Sequence, residues 1–318
     1  MITLLYTASI AFPIVCAALG AGIGQSLIGV KALQAANIQP HSITEISRIS
    51  MIGIALTETS SILGLVISIL LILDRSVPIH IEYAAYGRLG IALAIGLTSL
   101  IAGIASSYPA QAACLSVARQ PFFSNKILQL MLLTQSIIMT PNIFGFIIAL
   151  LINGRIATLT TFNEALLMIA SGISIGLGCI GPCIGLSLFA TAACTAIGIN
   201  RKSYSKLLPF TFMCEGIIET PIIFSLLVAL MILLNITVDT SGSNLQGIAC
   251  LSAALSMSLS TIGTGISAGN IGSTACYQIG KNIDIYPMMS RIGLLALTMI
   301  DTFAIYGFII AIILIYAI

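Results

Sequence analysis

Charge is scarce in this chain. Lys, Arg, Asp and Glu together supply only 7% of its 318 residues, while apolar residues supply 58%. An ordinary soluble protein is roughly one-quarter charged, so a water-soluble globule is excluded. No hydrophilic stretch is long enough to hide a soluble domain, and no GxxxxGK[ST] nucleotide loop is present. The net charge of +2 carries no nucleic-acid signal. The eight cysteines (Cys16, Cys114, Cys179, Cys183, Cys194, Cys214, Cys250, Cys276) all fall inside apolar segments, where a free thiol behaves as a small hydrophobe, so they give no disulfide framework. Cys179 and Cys183 lie one helical turn apart, but no histidine or further ligand accompanies them, and no metal site is expected there. The N-terminal MITLLYTASIAFP lacks the positive residues that open a signal peptide and reads as part of a first span.

Long apolar runs fill the space that charge leaves. A spanning helix needs about 20 mostly apolar residues, and eight stretches qualify: 3–30, 46–73, 86–117, 124–152, 163–198, 205–234, 246–279 and 286–317. Several exceed the minimum, so helices protruding from the bilayer are expected. The odd-numbered links hold Lys31, Arg48, Arg119, Lys126, Arg201, Lys202, Lys206, Lys281 and Arg291, and the even links hold Arg75, Arg88 and Arg155. Nine of the twelve basic residues therefore mark one side as cytoplasmic and place both termini outside.

Three acids stand alone among apolar neighbours, each followed by threonine: Glu58-Thr59, Glu219-Thr220 and Asp301-Thr302. A carboxylate at the centre of a span costs about 2.5–3.5 kcal/mol even on lenient scales, which makes each one a functional candidate. They also recur. From Glu58, steps of 81, 80 and 82 residues reach Met139, Glu219 and Asp301, with threonine next every time, Thr140 included. Gly64, Gly145, Ser225 and Gly307 keep the register six residues on, and Ala112-Ala113-Cys114, Ala192-Ala193-Cys194 and Thr274-Ala275-Cys276 repeat at the same 80 and 82. The chain divides into four tandem hairpins, 1–80 with Glu58, 81–160 with Met139, 161–241 with Glu219 and 242–318 with Asp301.

The first helix of each hairpin carries small residues at every second position: Gly20, Gly22, Gly24, Ser26; Gly103, Ala105, Ser107; Gly181, Cys183, Gly185, Ser187; Gly263, Gly265, Ser267, Gly269. Positions two apart lie about 200° round a helix, so two opposite flanks are small and can each receive a neighbour closely. Four such helices in register with buried acids point to a ring of close-packed inner helices.

These residues resemble the ring-forming c-subunit, or proteolipid, of rotary ATP synthases and ATPases. The most specific matches are GAGIGQSLIG at 20–29 followed by Glu58-Thr59-Ser60, ARQP at 118–121, and ALTMIDTFAIYG at 296–307. The resemblance implies an all-α membrane protein whose eight transmembrane helices form inner and outer layers of a rotor ring. It implies no catalytic site and no cofactor in the chain itself. The expected partners are copies of itself or other c-subunits, a stator a-subunit with an essential arginine, central-stalk subunits, and lipid. An energy-coupling membrane, bacterial plasma membrane or organelle membrane, is the implied location. The loop between a hairpin's helices docks the stalk in this family; Arg119, Gln120 and Pro121 match that loop best, while Ile38-Gln39-Pro40, Asn200-Arg201-Lys202 and Lys281-Asn282 depart from it.

The family mechanism fits the buried acids. A carboxyl crosses lipid only when neutral or ion-paired, and it gives up its ion opposite the stator arginine. Each charge moved across 100 mV yields about 2.3 kcal/mol, enough for successive ions to turn the ring. Met139 carries no ion, leaving three working sites per four hairpins; Gln135, one turn earlier, reads as a helix–helix hydrogen bond. Sodium-coupled members place a glutamine on the first helix and a hydroxyl after the glutamate, and Gln25 with Glu58, Thr59 and Ser60 fits that set, so a sodium ion at Glu58 is the one metal alternative. Leu186 and Ala268 stand where Gln25 would recur, which favours protons; Thr220 and Thr302 are expected to support their own carboxyls as hydrogen-bond donors with either ion. Glu215, one turn before Glu219, has no counterpart in the other hairpins and either shares a proton with Glu219 or is solvated. Pro141 and Pro221 are expected to bend the outer helices. The competing reading is a repeat-built ion-coupled secondary transporter or channel, whose acids would gather round one site instead of standing one per hairpin.

Overall fold

The computed structural model describes residues 2–74, 81–234 and 245–316. Arg75 and the hairpin boundaries at 80/81 and 241/242 lie outside the described residues. Eight membrane-length helical segments follow one another, because in lipid a backbone must satisfy its own polar groups and a helix does so within one segment. Six are unbroken: α1 (Ile2–Ile38), α2 (Ile43–Leu73), α3 (Ile81–Arg119), α8 (Tyr204–Leu234), α9 (Leu245–Lys281) and α10 (Tyr286–Tyr316). The other two are each split into a pair, α4 (Ser124–Ile138) with α5 (Thr140–Asn153), and α6 (Phe162–Gly178) with α7 (Ile180–Ile199).

Proline explains only part of that difference. Pro141 stands in the first turn of α5, just beyond the break at Met139, and so interrupts its outer helix as expected. Pro221 sits inside α8, which runs through it without a break, as α1 and α3 run through Pro13 and Pro109. The break at Cys179 lies three residues before Pro182, a proline that the repeat pattern does not single out. Helix α6 starts cleanly, because Thr161 and Glu164 form a reciprocal capping box in which Thr161 Oγ1 accepts from Glu164 N at 3.2 Å.

The fourfold repeat extends into the loops. Between the helices of each hairpin the chain makes one 3-10 turn, at Pro40–Ser42, Pro121–Phe123, Arg201–Ser203 and Ile283–Ile285. Each follows an amide residue, Gln39, Gln120, Asn200 or Asn282, and these too are spaced by 81, 80 and 82. Arg119 is exposed at its tip, where Gln120 and Pro121 lead into the turn.

The helices form two layers. In one, α1 packs beside α3, α3 beside α6 and α7, and these beside α9. In the other, α2 covers the seam between α1 and α3, α4 and α5 cover the next, and α8 covers the seam before α9; α10 rests on α9 and α8. Small residues set the inner seams. A Cβ added to Gly20 would come within 2.6 Å of the Leu100 carbonyl oxygen, and one on Gly24 or Gly185 would collide with the carbonyl of Gly103 or Gly265. Gly181, Gly265 and Gly269 lie equally close to facing backbone. The expectation of two packed flanks fails at the ends of the row. Gly22 on α1 and Gly263 on α9 meet nothing within 4 Å. They share the outward sides of the first and last inner helices, where no further inner helix follows among the described residues.

Arg88 also departs from expectation. It belongs to α3 and not to a link, and it is only 2% exposed. Its guanidinium lies 3.9 Å from Asp74 and 3.9 Å from the centre of the Tyr6 ring, which offsets the cost of burying the charge.

Candidate ion-binding sites

Positions 58, 139, 219 and 301 share one register on the four outer helices, yet their surroundings differ. Glu58 and Thr59 are exposed on α2, Met139 is buried with 7% exposure, and Glu219 and Asp301 are half-buried. Layer order explains this gradient. Among the described residues no outer helix precedes α2, so Glu58 has an open side, whereas α2 precedes the helix of Met139, α5 precedes α8 and α8 precedes α10.

Helix α5 supplies the partner at the third site. Thr140 Oγ1 lies 2.5 Å from Glu219 Oε1, to which it can donate, and 2.8 Å from the Ile137 carbonyl of its own chain segment, so the hydroxyl that meets this carboxyl comes from the preceding hairpin. The pairing of each acid with the threonine beside it, expected from the sequence, does not hold. In the structure those neighbours bond within their own helices: Thr59 donates to the Leu56 carbonyl, Thr220 to Gly216 and Thr302 to Met299. The repeat shows that Thr140 and Thr220 are equivalent, but the meeting of Thr140 with Glu219 depends on the order of the outer helices, which the repeat does not state.

The expected set around Glu58 is not drawn together. Gln25 Nε2 donates to the Ile54 carbonyl at 3.5 Å. Ser60 is buried, bonds the Thr57 carbonyl at 2.9 Å and lies against Gly103 of α3, away from the exposed Glu58. Among the described residues no cluster of three or more His, Cys, Asp or Glu side chains suited to a metal ion is found, and all eight cysteines are free and buried.

At the second hairpin Met139 lines a cleft of about 420 Å³ together with Thr59, Ile62, Leu63, Asn142 and Ile143. Gln135 crosses to α2, where its Nε2 donates to Gly53 O at 2.8 Å and to Thr57 Oγ1 at 3.2 Å, the helix–helix role expected of it. Its register partner was missed. Gln135 and Glu215 are 80 residues apart, as Met139 and Glu219 are, and both are fully buried. Glu215 is therefore not merely solvated, and its place has a polar counterpart in one other hairpin.

Four two-layered hairpins, three of them with a carboxyl at one shared register of the outer helix, define a membrane rotor component. Comparison with known proteins agrees. The ATP synthase C-subunit family matches four successive segments, 8–71, 89–152, 169–232 and 251–314. The chain is 30% identical over 230 residues to the A-type ATP synthase subunit K of Methanocaldococcus jannaschii, an alignment that covers 71% of this chain and 94% of that protein. It is 32% identical over 69 residues to the ATP synthase c-subunit of Chloroflexus aurantiacus, 22% of this chain and 91% of the relative. The chain belongs to the ATP synthase C-subunit family, as four fused hairpins of a rotary ATP synthase's membrane rotor.

Proposed function

We propose that the rotor to which this chain belongs is driven by protons, carried on Glu58, Glu219 and Asp301, with Met139 marking a hairpin that carries none. The observation that bears most weight is the environment of Glu219. It has one hydroxyl donor, Thr140, while the inner-helix position that would bring an amide oxygen is Leu186. A sodium ion asks for several oxygen ligands at once, whereas a protonated carboxyl needs only a hydrogen-bond partner or two. Ala268 leaves the fourth hairpin equally bare, and all sites of one rotor must serve the same ion.

Copies of this chain, or other c-subunits, would close the ring by setting the open flank of α9 against that of α1. In that ring the carboxyls travel neutral through lipid and ionise opposite an arginine of the stator a-subunit. The Arg119-Gln120-Pro121 turn and its three equivalents would meet the central stalk on the cytoplasmic side, which the basic residues near these turns support. Treatment of the membrane-embedded complex with a hydrophobic carbodiimide, with and without sodium, tests the ion. Peptide mass spectrometry should find adducts at Glu58, Glu219 and Asp301 that sodium leaves unchanged. Suppression by sodium would replace protons with sodium ions, and the absence of all three adducts would end the rotor-carboxyl assignment.

A further inference from the structure

Glu215 is a fully buried carboxyl with 0% exposure, and neither of its oxygens has a hydrogen-bond partner. One turn back on the same face, the Thr211 hydroxyl is also buried and unpartnered. Gln135, at the equivalent place in the second hairpin, spends its amide on Gly53 and Thr57 of the preceding outer helix. The residue 81 positions after Thr57 is Ile138, so the hydroxyl that Gln135 finds has no analogue in front of Glu215. A bare carboxylate in such a place would bear a desolvation penalty of several kcal/mol, so the pocket accepts the side chain only with its proton on.

One neighbour can use that proton. Residues four apart on a helix face each other, with Cβ atoms about 5–6 Å apart, and Glu219 stands four residues beyond Glu215. The other titratable groups facing Glu215 are thiols: Cys214 on α8, Cys194 on α7 and Cys276 on α9. Among the described residues no Lys, Arg or His pairs with it. The corresponding residues at the first and fourth sites are Ile54 and Leu297, so Glu58 and Asp301 have no carboxyl in this place.

We propose that Glu215 is a positioning residue of the third site, which keeps its own proton and donates it as a hydrogen bond to the Glu219 carboxylate each time Glu219 releases its ion. The pair holds two protons when charged and one when discharged; the proton released is the one on Glu219, and the one retained is shared between the two carboxyls. The third site then discharges more readily than it would without Glu215. This rests on the reading of Glu219 and Asp301 as proton carriers, and Asp301 supplies the internal reference.

The experiment is site-resolved carbodiimide labelling of the intact membrane complex across a pH series, in wild type, Glu215→Leu and Glu215→Gln. Carbodiimide attacks the protonated carboxyl, so labelling fades as a site ionises. Glu215→Leu removes the donor, and the pH at which Glu219 labelling falls to half should rise by about one unit, the size of coupling expected for interacting carboxyls. Glu215→Gln keeps an N–H donor and should restore more than half of that shift. Asp301 should keep its wild-type profile in both variants. An unmoved Glu219 midpoint in Glu215→Leu would overturn the proposal, as would equal shifts at Asp301, which would mark a general change in the ring. If neither carboxyl labels in wild type, the carrier reading fails, and the inference built on it falls with it.

Discussion

Restoring a carboxyl to the second hairpin gives the sharpest test of how this rotor is geared. Met139 sits at the joint between α4 and α5, with Thr59 across the cleft on the preceding outer helix, just as Thr140 precedes Glu219. The cleft of about 420 Å³ gives the new side chain room, and Asn142, buried beside it, has an unpartnered Nδ2 able to donate. Met139→Glu is therefore expected to fold, with a carboxyl that stays neutral in lipid, since the charged form alone would cost about 2.5–3.5 kcal/mol. On the proposed assignment of Glu58, Glu219 and Asp301 as carriers, the change raises their number per chain from three to four. At stall, the free energy of ATP hydrolysis equals the work on all ions moved, so the proton gradient held at a fixed ATP/ADP ratio should fall to about three quarters of the wild-type value. Proteoliposomes with a pH-sensitive dye and an ion-tight membrane would report it, and mass spectrometry would establish carbodiimide modification at position 139. An unchanged stall gradient in a variant modified at that position would refute the reasoning.

Other substitutions probe separate parts of the structure. Thr140→Val withdraws from ionised Glu219 one charge-assisted hydrogen bond, about 1.5–3 kcal/mol. The donor favours the ionised form, so without it carbodiimide labelling of Glu219 should persist to higher pH while that of Asp301 keeps its profile. Gly185→Leu drives a side chain into the Gly265 backbone and should destabilise the α7–α9 seam by about 1–3 kcal/mol or more, read as a lower melting temperature in detergent. Gly22→Leu should leave the melting of the single chain unchanged, since nothing lies within 4 Å, but should prevent ring formation as seen by native mass spectrometry. Arg88→Met removes a buried guanidinium that touches both Asp74 and the Tyr6 ring and should cost about 1–3 kcal/mol, while the double change with Asp74→Asn should cost less than the sum of the two singles in denaturant titrations.

Periodicity carried most of the architecture into view before any coordinates. The 81, 80 and 82 steps located the four register positions, and the apolar runs located eight spans that the structure retains, several of them longer than read. The cross-hairpin pairing of Thr140 with Glu219 was not legible, because a repeat states which residues are equivalent and leaves open which of them meet. Gln25 and Ser60 were assigned to Glu58 from a family pattern, but their bonds run to the Ile54 and Thr57 carbonyls. Burial of Glu215 and Arg88 was likewise hidden, since composition alone does not tell a helix's enclosed face from its lipid face. The differing effects of Pro141 and Pro221 depend on whether the surrounding helices tolerate the lost hydrogen bond, which is a property of packing.

The open flanks of α1 and α9 bear on how a ring comes together. Bringing two bodies into one costs an estimated 4–15 kcal/mol in lost translational and rotational freedom before any contact is credited. Single hairpins would meet that cost at every seam, whereas here three seams in four are already closed within one chain by α3, by α6 with α7, and by α9. The entropic demand on assembly is correspondingly concentrated at the seam where Gly263 faces outward and a second Gly22 would have to arrive. Mutations that weaken inter-chain association therefore act at one place per four hairpins, and fusion lets each hairpin vary on its own: a methionine, a buried glutamine or a second glutamate can enter the circle once per chain without being imposed on every tooth.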